Sequence, residues 1–224
     1  MQQNIGSVSR SRDTHGVLAT NKVLKNTYLL LSMTLIFSAF TSWVAVGMGA
    51  PSMGLFSLVV IYGLMFGINA TKNSPLGIVL VFAFTGFLGF TSAPLINAVL
   101  QLSNGSQIVT SSLGLTGAIF LSLSVYALTT KKDFSYMGGF LLSAMVVIVV
   151  GSLIGFFFTS PILHIAISSM MVLVASGLIL FDTSRIINGG ETNYIMATVS
   201  LYLSIYNLFM SLLQLLAMFS GRND

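Results

Sequence analysis

Cysteine is missing altogether from the 224 residues, and charge nearly so: nine basic and five acidic side chains make up 6% of the chain. Without cysteine there is no disulfide, no thiol nucleophile and no zinc–thiolate site. Two histidines and five scattered acids offer no spacing that would hold a metal, and no cofactor is expected. Soluble domains carry roughly 25% charged residues, so a globule built from this chain could not wet its own surface. A net charge of +4 would hint at nucleic acid in a soluble protein. Here the basic residues stand between apolar runs, where they read as orientation signals, and no nucleic-acid partner is expected.

What fills the chain is hydrocarbon: 55% of its residues are hydrophobic. Apolar runs at residues 27–46, 53–70, 76–93, 113–129, 136–158, 162–181 and 194–219 approach the roughly 20 residues that cross a bilayer. The fold class predicted is all-α, a polytopic membrane bundle of seven helices. Residues 1–26 read as a mobile polar tail with a short interfacial helix near residues 17–24, and residues 220–224 as a short terminus. The stretch 94–112 reads as the longest polar-leaning connector, with an extension of the third helix into part of it as the alternative. With the first end inside, Arg10, Arg12, Lys22, Lys25, Lys72, Lys131, Lys132 and Arg185 all lie on the inner side and only Arg222 on the outer. That asymmetry places the N-terminus in the cytoplasm and the C-terminus outside. The glycine pairs Gly63/Gly67 and Gly151/Gly155 read as packing contacts.

In the last run Asn193, Ala197, Ser200, Ser204, Asn207, Ser211 and Gln214 recur at alternating steps of four and three, which puts them on one stripe of a helix. Such a stripe in a bilayer must face other helices or a wet cavity. Asp182, at the inner end of the sixth run, is an ionisable group beside hydrocarbon depth and marks a candidate site. Its plain alternative is an ion pair with Arg185, one helical turn on. Asp182, Ser200, Ser204 and Asn207 together form the candidate polar or ion site. His164 and Ser168 share a face four residues apart. They lack the nucleophile turn and oxyanion donors of a hydrolase, and no enzymatic activity is expected.

Several stretches carry a family resemblance: KVLKNTYLL at residues 22–30, TGFLG at 85–89, YALTTKKDFS at 126–135, FDTS at 181–184, GGETNY at 189–194 and LYLSIYNLF at 201–209. Across essentially its whole length the chain resembles the Bax inhibitor family. The resemblance implies six helices around a central seventh. It further implies, by likeness to a bacterial inner-membrane branch, binding to the FtsH membrane protease and restraint of its degradation of membrane proteins. The N-terminal residues, among them Gln2, Gln3, Asn4, Arg10, Arg12 and Asp13, would then be a segment that a processive protease can engage. Other members of the family are pH-sensitive calcium leaks, which makes calcium or protons the alternative partners. In those members an aspartate ending the sixth helix pairs with one in the seventh. Asp182 matches the first position, but Ser204 stands at the second. A like-charge pair is therefore absent, and a cation would meet one formal negative charge instead of two.

Overall fold

The computed structural model describes the backbone of residues 5–158 and 160–220, and the side chains of residues 20–155, 157–158 and 160–220. Seven helices follow one another: α1 Ile5–Gly47, α2 Leu55–Thr71, α3 Pro75–Leu100, α4 Gly105–Thr130, α5 Gly138–Phe157, α6 Pro161–Ile187 and α7 Tyr194–Ser220. Six contain apolar stretches long enough to cross a membrane, with α1 contributing Thr20–Gly47; α2, at 17 residues, is shorter. The expected all-α membrane bundle is what the chain forms.

Proline sets two of the starts. Pro75 and Pro161 occupy the first turns of α3 and α6, where the missing N–H has no partner to lose. Pro94 instead lies inside α3, so the third helix does extend into the expected connector, and the rest of that reading fails. The stretch expected as a long connector is helix, apart from residues 101–104. Asn97, one of the polar residues that read as loop, points its amide at the carbonyl of Val46 (3.5 Å) at the end of α1. Its polarity satisfies a neighbouring helix terminus. The N-terminal polar segment also enters α1, whose described backbone begins at Ile5. Gln2, Gln3 and Asn4, and the side chains of Arg10, Arg12 and Asp13, lie outside the described residues.

The helices are inside-out by aqueous standards. On α1, Leu29, Met33, Ile36, Phe40 and Trp43 form an exposed stripe, while Thr27, Thr34 and Ser38 are buried. In a bilayer this is the favourable order, because lipid solvates hydrocarbon and offers hydroxyls nothing. Several buried hydroxyls return to their own helix, as in Thr34 to the Leu31 carbonyl (2.9 Å) and Ser112 to the Ile108 carbonyl (2.8 Å).

Helix α7 is the centre. It packs against α1, α2, α3, α4 and α6, and among its residues only Phe219 is exposed. The ring expected around it is incomplete by one member, since α5 packs on α6 and the adjoining turn, Ser135–Met137, alone.

The most crowded glycine between two helices is not in the expected pairs, of which only Gly67 is tight, a Cβ there lying 3.2 Å from Leu80 Cδ1. A Cβ on Gly63 would meet nothing within 4 Å, and one on Gly151 would make only ordinary contact with Ile167. Gly89 of α3 is the most crowded position, where a Cβ would collide with the backbone oxygen of Ser38 and the hydroxyl of Thr41 on α1. Backbone cannot swing aside as a side-chain tip can. Gly89→Ala should therefore cost about 1–3 kcal/mol, read as a lowered unfolding midpoint in detergent. Gly63→Ala should leave that midpoint unchanged or raise it slightly.

Candidate functional site

The last turns of α6 carry Asp182, Thr183 and Ser184 in succession, all three buried. Consecutive helical residues point about 100° apart, so three buried neighbours in a row need three different partners. They have them. Asp182 Oδ2 accepts from the hydroxyl of Ser200 on α7 at 2.6 Å, a charge-assisted length. The Thr183 hydroxyl lies 3.5 Å from that of Tyr28 on α1. The Ser184 hydroxyl donates to the Lys132 carbonyl and accepts from the Phe134 amide, both at 2.9 Å, tying down the α4–α5 loop.

The loop is shaped for that grip. Lys131, with φ of 51°, closes α4 in the left-handed region, and Asn188 Nδ2 adds contacts to the Ser184 carbonyl (3.0 Å) and the Lys132 carbonyl (3.4 Å). Next to it Asp133 accepts from the Ser135 amide at 2.8 Å. The hydroxyl and amide of Ser135 hold the Asp133 carboxyl below the usual carboxylate range. On the other side, Asn193 Oδ1 caps α7 by accepting from the Ile195 and Met196 amides (3.0 and 3.1 Å). Its Nδ2 reaches the Lys72 carbonyl between α2 and α3 at 2.9 Å.

Of the residues singled out from sequence, Asp182 and Ser200 come together. Ser204 donates to the Ser200 carbonyl of its own helix at 3.1 Å. Asn207 is half-buried and makes no hydrogen bond to another described residue. The Asp182–Arg185 pair does not form. Arg185 turns outward to Glu191 (3.6 Å) and lies over the Phe181 ring, 5.5 Å from its centroid, because water at the helix end solvates that guanidinium better than a buried site could. The His164–Ser168 pair is also not made: Ser168 donates to Gln214 Oε1 on α7 at 2.9 Å. Two residues of the polar stripe thus fasten α7 to α6, Ser200 to Asp182 and Gln214 to Ser168, while Asn193 reaches the α2–α3 connection.

Sequence reasoning missed Thr183, Ser184 and Tyr202. Tyr202 is fully buried, and its hydroxyl pairs with Ser38 of α1 (2.6 Å) while donating to the Thr85 carbonyl of α3 (3.1 Å). The available signal was polar residues in direct succession at a helix end, which no single lipid-shielded face can accommodate. Ser184→Ala should strand the buried Phe134 amide and cost about 1–3 kcal/mol. Hydrogen exchange should then accelerate at Phe134, while the amides of α7 keep their protection.

Residues 20–221 match the family model described as Inhibitor of apoptosis-promoting Bax1. The chain is 50% identical over 217 residues to Modulator of FtsH protease YccA of Escherichia coli, covering 96% of this chain and 98% of that one. It is 45% identical to a membrane protein of Vibrio cholerae (99% and 100% covered) and 30% identical to a protein of Neisseria meningitidis (94% and 96%). With the match running from the first transmembrane helix through the last, the chain belongs to the Bax inhibitor family of multi-pass membrane proteins.

Proposed function

We propose that this protein is a non-enzymatic modulator of an FtsH-type membrane protease, resident in a bacterial inner membrane with its N-terminus in the cytoplasm. The observation that carries the reading is full-length similarity, at half identity, to a relative named for that role. The short connectors support it. Residues 101–104, 131–137 and 188–193 are too brief to fold into a catalytic module, so an effect on proteolysis would come from contact in or beside the membrane. The N-terminal polar segment, with Arg10, Arg12 and Asp13, is the part we assign to engagement by the protease, since pulling begins at chain ends.

In reconstituted membranes, adding the purified chain should slow degradation of a membrane-protein substrate by an FtsH-type protease and leave a soluble substrate's rate unchanged. Removal of residues 2–15 should lengthen the chain's own lifetime in the presence of that protease. Unaltered degradation together with failure to co-purify would overturn the assignment.

A cation or proton conduit is the second reading, favoured by Asp182, the single buried carboxylate among the described residues, with one hydroxyl partner at the membrane's edge. Against it, the cavity among α1, α3, α4 and α7 does not have that carboxylate in its lining. Vesicles containing only this chain should therefore pass no more calcium or protons than empty ones at any pH. Flux that Asp182→Asn abolishes would reverse that conclusion.

A further inference from the structure

At the end of the bundle away from Asp182, helices α1, α3, α4 and α7 part around a cavity of about 530 Å³. Its walls run from Leu35, Phe120 and Tyr202 near mid-membrane toward Val46, Leu100 and Val109 at the helix ends. Among the described residues α1 and α4 meet through the rings of Tyr28 and Phe120, with centroids 6.1 Å apart at the inner end of the cavity, and their backbones do not approach each other. Trp43 of α1 and Leu113 of α4 both line the cavity and are both exposed, at 72% and 56%. The space therefore opens sideways into the bilayer, between those two helices.

No charged side chain lines it, and its principal hydroxyls are already spent. Ser38 pairs with Tyr202 (2.6 Å), Ser42 with Ser92 (2.9 Å), and Thr116 donates to the Ser112 carbonyl (2.7 Å). A wall with its polar groups satisfied gives water nothing to bind and favours an apolar guest. A flexible hydrocarbon chain suits such a wall, and the volume falls within the roughly 300–1,000 Å³ of ordinary ligand sites.

We propose that the cavity is a binding site for one acyl chain of a membrane phospholipid, entered laterally between α1 and α4. The headgroup stays outside, at the level of Trp43, which stands four residues from the end of its helix, where tryptophan meets the membrane interface. The proposal is independent of the protease role, because it rests on the cavity alone.

Trp43 is the chain's single tryptophan, so its fluorescence reports the mouth without ambiguity. The purified full-length chain, stripped of lipid in detergent, is titrated with a phospholipid brominated mid-chain, whose bromines quench indole on contact. The expected result is saturable quenching at one lipid per chain. Gly117→Phe is the blocking variant. Gly117 lines the cavity, and a Cβ there meets nothing within 4 Å, so the ring enters empty space. It should displace several methylenes and weaken binding by at least roughly tenfold. Gly114→Phe, on the same helix and equally unobstructed but outside the lining, should leave binding intact. Gly117→Leu supplies the same block if the phenylalanine variant does not purify. Non-saturating quenching of the wild type, or equal quenching of wild type and the Gly117 variants, overturns the proposal. So does saturation by a brominated free fatty acid where the phospholipid fails to saturate.

Discussion

Hydrocarbon accepts no hydrogen bonds, and the architecture follows from that refusal. A carboxylate near such a medium must find its partner within the protein, and Asp182 finds Ser200 at 2.6 Å. Once α6 and α7 are fixed to each other at that point, and again through Ser168 and Gln214, the polar stripe of α7 is covered. The other helices can then turn their lipid-loving faces outward. Thr183 and Ser184 extend the same logic to α1 and the α4–α5 loop, so one short stretch of α6 sets the relative positions of much of the bundle.

The two faces of α7 have opposite characters because of two adjacent requirements. Ser200 and Tyr202 are two residues apart and so point about 200° from each other. The first engages the acid of α6. The second joins α1 to α3 through Ser38 and Thr85 and its ring forms part of the cavity wall. Helix α7 thereby separates a polar junction on one side from an apolar chamber on the other. The family assignment accounts for the shared scaffold, and with serine at position 204 the junction holds a single carboxyl group, that of Asp182.

Much of this was legible from residue order, and the failures have physical causes. Long apolar runs have only one stable solution in a bilayer, so the helices declared themselves. The period of the α7 stripe located a buried polar face, and Asp182 was conspicuous by depth alone. What could not be read was which residue meets which. The partner of Asp182 is Ser200, neither Arg185 nor Ser204. That choice depends on the rotation of one helix against another, which no intra-helical spacing encodes. The same gap explains Gly89: a glycine matters where a foreign backbone passes, and GxxxG spacing says nothing about where that is. Asn97 misled in the other direction, since an amide serving the end of α1 looks, in sequence, like an amide in a loop.

The central helix is also the last of the seven to leave the ribosome. Every other element therefore enters the membrane before its interior exists. Asp182, Ser168 and the hydroxyl of Ser38 spend that interval without the partners that α7 supplies. During synthesis the nascent bundle is a hollow stave assembly holding a charged group near oil. Its completion is a single late docking event, and until then the chain presents its polar interior to whatever quality-control machinery surveys the membrane.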